Sequence, residues 1–356
     1  MRVGVDGGAL SVSDDRLKVG VWRVTSHFAE ELSRLSVKDY YRIYGFGGGE
    51  AGKQDANNPH VRFVQLPRAG YSRIWQTADI LKNRIEVYVG LSQAIPPLPK
   101  ILCDVRKIGV IYDVGFLSHP EFYPGSSDAL SHRTADLANR SDHIITISEA
   151  SRKEICKAYG VDKRRVSVSY LGVDDVFSQR GPVYKGTHPY FLFVGSLKPG
   201  KNVPGMIRAF SGFLKHTKTP HDFLLIGSDF WMDTKIQKTV NELGLSDRVR
   251  ILGYVPDRLL ADYYRGAEAL VSVSFIEGFG LPALEAMQCG TPVIASDIGS
   301  YPEVVGDTGT LVDPHDIRAI TDALLHIPPR GKGLARAKRF SWKAFTESVV
   351  RTVERV

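Results

Sequence analysis

The chain is predicted to be α/β, with two similar halves, each built on a parallel sheet. Short apolar runs alternate with amphipathic stretches along its whole length, the pattern of strands joined by crossover helices. The pattern also restarts, because 174–188 is rich in Gly, Pro and polar residues, lacks periodicity, and reads as a linker between two such series. A length of 356 residues with 43% hydrophobic content is ample for two cores, and the 24% charged content argues against disorder. Open α/β sheets bind ligands outside the carboxyl ends of their strands, so two halves of this kind imply a ligand cleft.

Residues 2–6 form the first strand, followed by a polar, glycine-containing loop up to Gly20 and a helix over 21–35. Apolar runs at 40–46 and 61–66 are strands, 75–85 is a helix, and 86–91 is a short strand. Further strands are expected at 107–112, 143–147 and 166–170, with a helix over 148–159 whose first residue, Ser148, is a good cap. The second half opens on a strand at 190–194, a loop at 195–202 and a helix at 203–213. Strands at 223–226, 249–252, 269–274, 292–295 and 310–312 follow, several of them separated by helices near 234–243, 258–265 and 317–326.

Several function classes are disfavoured. No window holds about 18 uninterrupted apolar residues, so a spanning helix is not expected, and no apolar signal region precedes the first strand. The three cysteines, Cys103, Cys156 and Cys289, are widely spaced and read as reduced, buried thiols of a cytoplasmic protein. The net charge of +7 concentrates around Arg152, Lys153, Lys157, Lys163, Arg164 and Arg165, and again around Arg330, Lys332, Arg336, Lys338, Arg339 and Lys343. Such patches read either as solvated surface or as contact with an anionic membrane face. Neither a DNA-reading motif nor aromatic-basic interleaving of the RNA-recognition kind is present, so nucleic acid is not an expected partner. No internal repeat is visible, and no Asp-x-Asp spacing or Cys/His set suggests a metal site.

The most informative stretch runs from Phe275 to Ala295. Glu277 and Glu285 stand eight residues apart with Gly278, Gly280 and Pro282 between them. Pro282 favours a helix start and Gly290 a helix end, which puts Glu277 in a loop and Glu285 about one turn inside the helix. The backbone from Gly278 to Leu281 can aim bare N–H groups at an anion. A loop carboxylate for hydroxyls, a helix start for phosphates and a second carboxylate for another polyol suit a nucleotide sugar. The loop Gly195-Ser196-Leu197-Lys198-Pro199-Gly200-Lys201-Asn202 also joins a strand to a helix start. One helix end stabilises an anion by only ~0.3–2 kcal/mol, so a diphosphate calls for a nearby lysine, and Lys201 and Lys198 are candidates. The loop lacks the spacing of a P-loop.

The segment from Glu277 to Met287 resembles the paired-glutamate motif of retaining GT-B glycosyltransferases of family 4. The stretches beginning at Leu252-Gly253-Tyr254, Gly290-Thr291-Pro292 and Gly309-Thr310-Leu311 are similar to that family, as are Ile144 to Ser151 and Tyr170 to Asp174 in the first half. The loop at 195–202 and the Phe340-Ser341-Trp342 segment look like its mannosyltransferase-like branch. The resemblance implies two Rossmann-like domains facing across a cleft. An acceptor-binding domain would cover 1–175 and a nucleotide-sugar-binding domain 188–335, with a C-terminal helix, 336–356, returning to the first.

By the same resemblance, Glu277 holds hydroxyls of the donor sugar and Glu285 those of the ribose. Backbone amides of Gly280 and Leu281 meet the diphosphate together with Lys201. Tyr254 lies near the base, and the Gly20 loop closes over the phosphates. Ser196, Asn202, Gly278 and Phe279 complete the donor set; Tyr112, Asp113 and Ser148 form the acceptor set; Glu277, Lys201 and Asp113 are the catalytic candidates. Where many members carry arginines this chain has Ser196 and Gly200, and Tyr112 replaces a common histidine, so the positive clamp rests on Lys201 with help from Lys198. The implied activity is metal-independent, retaining transfer of a mannose- or glucose-type hexose. The donor is a GDP- or UDP-linked sugar, the acceptor a saccharide or lipid-linked saccharide, and no cofactor is expected. The alternatives are a sugar-nucleotide epimerase or hydrolase on the same fold, and a non-catalytic relative that binds the nucleotide sugar.

Overall fold

β-Branched and aromatic residues dominate the strand segments, and the segments pair only in parallel, as buried strands joined by helices do. The computed structural model describes residues 1–14, 20–47, 58–99, 104–228 and 234–356. Cys103 and loop residues 15–19 lie outside the described residues. Two units follow from the way the chain packs, Met1–Leu171 with Trp342–Val356, and Gly172–Ser341.

In the first unit the strands are β1 (Arg2–Asp6), β2 (Tyr40–Phe46), β3 (Val61–Leu66), β4 (Val87–Gly90), β5 (Arg106–Val110), β6 (His143–Thr146) and β7 (Val166–Val168). They form one parallel sheet in the order β3-β2-β1-β4-β5-β6-β7. The helices are α1 (Val21–Arg34), α2 (Gln76–Lys82), α3 (Gly115–Ser118), α4 (Ser127–Arg140) and α5 (Glu149–Tyr159). A π-helical turn, Tyr71–Trp75, precedes α2 and takes the place of the first residue of the expected helix. Tyr44, Tyr88, Ile80, Ile111 and Ile144 sit in the core beneath these helices.

The second unit contains β8 (Tyr190–Val194), β9 (Asp222–Ile226), β10 (Val249–Gly253), β11 (Ala269–Ser272), β12 (Val293–Ser296) and β13 (Thr310–Val312), in the order β10-β9-β8-β11-β12-β13. Its helices are α6 (Val203–His216), α7 (Thr234–Glu242), α8 (Asp257–Gly266), α9 (Leu281–Gln288), α10 (Tyr301–Val304), α11 (Ile317–Leu325) and α12 (Leu334–Ala337). An aromatic cluster anchors this core; Phe191 meets Phe213 edge-on at 5.0 Å and Phe210 at 6.2 Å. In both sheets the strand order reverses beside the first strand of the unit, and such switch points are where open α/β sheets bind ligands.

The segment expected to be a linker is anchored. Phe177 is fully buried and packs edge-on against Tyr264 at 5.8 Å. Arg265 donates to the carbonyls of Pro182 and Ser178 at 2.6 and 3.0 Å. These contacts make 172–188 part of the second unit. The last helix, α13 (Trp342–Arg355), belongs to the first unit, where Trp342 stacks on His27 at 4.5 Å and Phe345 meets Phe28 edge-on at 6.5 Å. Residues 336–341 stay with the second unit because Arg336 donates to the carbonyls of Val304 and Glu303.

Among the described residues no helix is long and apolar enough to cross a membrane. Cys289 is buried, and burial pushes its thiol up to about 12, whereas Cys156 is only partly buried.

Candidate active site

β8 and β11 flank the switch point of the second sheet, so the loops leaving their carboxyl ends meet there. The β8 loop carries Lys201 and the β11 loop carries Glu277. Phe275 N–H donates to the Gly200 carbonyl at 2.9 Å and ties the two loops together. Lys201 Nζ donates to Glu277 Oε2 at 2.8 Å, and each side chain is 16% exposed. Tyr301, at the start of α10, donates its hydroxyl to the same oxygen at 3.1 Å and lies 2.6 Å from Ser272 Oγ. Burial and the neighbouring Glu277 charge hold the Tyr301 phenol well above its ordinary value, so it serves as a donor. Burial alone would raise the Glu277 carboxyl, but the Lys201 charge, the bonds from Lys201 and Tyr301, and the field of Lys198 bring it below its ordinary value.

Two features of the pair are open to a ligand. Glu277 Oε1 accepts no bond from any described residue, while Oε2 accepts two. An ammonium has three N–H donors, and Glu277 takes only one from Lys201. Next to them α9 begins at Gly280, whose φ of 92° and whose close approach to the Tyr301 ring, 2.8 Å from an added Cβ, both require glycine. The N–H groups of Gly280 and Leu281 find no protein acceptor among the described residues. The site therefore offers a carboxylate oxygen for hydroxyls, beside a cation and a helix start suited to phosphate oxygens.

Other members of the donor set are placed differently. Glu285 is 3% exposed, and Tyr264 donates to its Oε2 at 2.8 Å. Asn202 is also buried; it caps α6 in a left-handed conformation and donates to the Pro314 carbonyl at 2.8 Å. Its amide is a loop tie, which corrects its assignment to the donor. The Phe279 side chain is interior and meets Phe340 edge-on at 5.9 Å, so only its backbone can face a ligand. Ser196 and Gly278 are partly exposed in the two loops, Gly20 caps α1 and is exposed, and Tyr254 is 45% exposed just past β10.

In the first unit, Asp113 follows β5, is partly exposed, and accepts from Gly115 N–H at 3.1 Å. Tyr112 is 7% exposed, and its hydroxyl is spent on the Leu91 carbonyl at 2.8 Å. Burial, with the Asp6 charge behind it, raises the Tyr112 phenol, so its role is packing. Ser148 is fully buried and accepts from Ser151 N–H at 3.0 Å as the cap of α5. Both residues are therefore corrected from acceptor contacts to structural ties. We predict that Ser148→Ala lowers stability by about 1 kcal/mol and leaves the KM for acceptor unchanged, which urea unfolding and initial rates would check.

Sequence reasoning missed Tyr301, Ser272 and Tyr264, which lie far along the chain from their partners. Part of the basic clusters is engaged within the protein. Arg330 donates to the carbonyls of Ala267 and Arg265, and Arg165 to that of Ser141, so these guanidiniums tie backbone although both residues stay exposed. Lys153 and Lys157 do lie exposed on α5.

Comparison with known proteins identifies the family and the fold. The family model "Glycosyltransferase Family 4" matches residues 20–177, and "Glycosyl transferases group 1" matches 177–330. The O-antigen chain mannosyltransferase B of Escherichia coli is 32% identical over 265 residues, 69% of this chain and 69% of that protein. D-inositol 3-phosphate glycosyltransferase 2 of Catenulispora acidiphila is 32% identical over 235 residues, 58% of this chain and 55% of its own length. Among solved structures, sucrose-phosphate synthase from Thermosynechococcus elongatus superposes with a TM-score of 0.77 at 20% identity, covering 99% of this chain and 98% of its own. HepE of Anabaena, solved with UDP and glucose, gives 0.71 at 17% identity with both chains fully covered. With these matches on two Rossmann-like sheets, the chain belongs to the glycosyltransferases of family 4 and has the GT-B fold.

Proposed function

We propose that this glycosyltransferase moves a hexose from a nucleotide diphosphate sugar to a saccharide acceptor, with retention of configuration and without a metal clamp. The observation that carries this reading is the Lys201–Glu277 pair at the switch point, with Glu277 Oε1 taking no bond from any described residue. In this reading Oε1 accepts hydroxyls of the donor sugar. The remaining Lys201 donors and the Gly280 and Leu281 amides stabilise charge on the departing diphosphate, an electrostatic preorganisation that needs no side-chain nucleophile. The acceptor hydroxyl attacks on the face the nucleotide leaves, and its proton passes to the departing phosphate. Asp113 is the acceptor-side candidate in the first unit. The likeness to the E. coli mannosyltransferase favours GDP-mannose as donor, and its O-antigen role favours a lipid-linked saccharide as acceptor.

Calorimetric titration with UDP, GDP, UDP-glucose and GDP-mannose in metal-free buffer tests the donor site. One nucleotide series should bind, and Lys201→Ala should weaken it at least tenfold, about 1.4 kcal/mol. Failure of every nucleotide to bind would overturn the reading in favour of a degraded donor site. Nucleotide release that proceeds equally fast without saccharide would replace transfer with hydrolysis or epimerisation.

A further inference from the structure

The first sheet carries a second cluster, at the opposite ends of its strands. In a parallel ladder, paired residues share a face, and so do residues two apart on one strand. Arg2 pairs with Tyr40, and Arg42 pairs with Arg62. Tyr40 and Arg42 are two apart on β2, so Arg2, Tyr40, Arg42 and Arg62 project from one face at the amino-terminal edge. His60, just before β3, stacks on Tyr40 with ring centroids 4.6 Å apart. These residues, with Asn83, line a cavity of about 400 Å³.

The charges there are unequally paired. Asp79 holds Arg42 in a two-pronged contact at 2.8 and 2.9 Å. Arg2 donates to the Asn83 carbonyl at 3.1 Å, and Glu86 takes the Arg2 backbone N–H at 2.7 Å. Asp39 is paired with the Met1 amino group at 2.5 Å. Arg62 makes no bond or ion pair with any described residue, and His60 Nδ1 is buried with no partner among them. Two guanidinium forks that no carboxylate pairs head-on, one of them idle, with an aromatic wall of which Tyr40 is 57% exposed, make a cavity within the usual size range of small-ligand sites, roughly 300–1,000 Å³.

We propose that this pocket binds a phosphate group, carried by a soluble phosphate compound or by a lipid headgroup. Guanidinium is the side chain best matched to phosphate, because its planar fork meets two oxygens at once. The pocket is separate from the substrate side of the sheet. It lies across β1 from Gly7 and Gly8, which leave the strand's carboxyl end about 13 Å away at 3.3 Å per residue. The proposal does not rest on the donor-site reading.

The Lys201→Ala variant of the whole chain, which lacks the cation paired with Glu277, would be titrated with inorganic pyrophosphate and sedimented with phosphatidylglycerol vesicles. At least one probe should bind, and adding Arg62→Glu should weaken that probe at least tenfold. Arg62 has no partner among the described residues to lose, so the double variant should keep its circular dichroism spectrum and melting temperature. Pyrophosphate binding lost with Arg62 assigns the pocket to a soluble phosphate compound, and vesicle binding alone lost with Arg62 assigns it to a headgroup. If neither probe binds, or if Arg62→Glu changes both affinities less than twofold, the proposal is overturned.

Discussion

Glu277→Ala is expected to leave less than one-hundredth of the wild-type transfer rate, a loss of at least about 2.7 kcal/mol of transition-state stabilisation. In the proposed function the substitution removes the carboxylate oxygen that accepts hydroxyls of the donor sugar. It also strands the groups Glu277 holds, since Lys201 loses its partner at 2.8 Å and Tyr301 its acceptor at 3.1 Å. The fall should appear in kcat, with a smaller change in the KM for donor, because contacts to the nucleotide remain. Glu277→Gln, which keeps the size and one acceptor oxygen but not the charge, should fall between the two. Initial rates for the three proteins decide the matter, and an alanine variant keeping more than half the rate refutes the assignment. The pH dependence has a definite sign. The folded carboxyl titrates below its ordinary value of 4.5. A depressed carboxyl stabilises the fold above its unfolded value and loses that contribution as pH falls through the folded value. The limb due to Glu277 therefore lies below pH 4.5, and this group leaves the rate flat from weakly acidic to neutral pH.

Elements bounded by turn residues and carrying dense apolar runs were legible from the chain alone. The strands at Arg2–Asp6, Tyr40–Phe46, Val61–Leu66 and Tyr190–Val194 end where the apolar run ends. Helix α4 was not expected, because only Thr134, Leu137 and Ala138 of its fourteen residues are buried, too thin a stripe to stand out as periodic. The pairing of Lys201 with Glu277 could be anticipated because two β–α loops, each with helix-start signals, converge at one switch point. Tyr301 gave no such signal. Its hydroxyl reaches Glu277 only through the packing of α10, and a tyrosine in a Ser-Tyr-Pro context reads as ordinary core. Ser148 and Asn202 were misassigned for a related reason, since the polar residues that bind sugars are also those that cap helices and bridge loops.

Gly227→Ala should damage stability and donor binding together, because the residue lies where the second sheet supports the loop that carries Lys201. Gly227 directly follows β9 with a φ of 146°, and a Cβ built there falls 1.9 Å from the Gly195 carbonyl oxygen. Gly195 opens the loop that carries Lys201. Its N–H is bonded to the Ile226 carbonyl at 2.9 Å, and Leu197 N–H to that of Ser228 at 3.1 Å. The clash is backbone against methyl, so no rotamer change relieves it, and the loop must move away from β9. Strain at such a φ costs about 1–3 kcal/mol, and displacing the loop adds to it, so a total near 3 kcal/mol or more is expected. Gly244→Ala is the control. Gly244 has a φ of 65° but no atom within 4 Å of the added Cβ, so it should lose only about 1 kcal/mol of backbone preference and bind nucleotide normally. Urea unfolding and nucleotide titration of the two variants separate the effects. If Gly227→Ala matched the control in both, the β9 end would not be what holds Lys201 against Glu277.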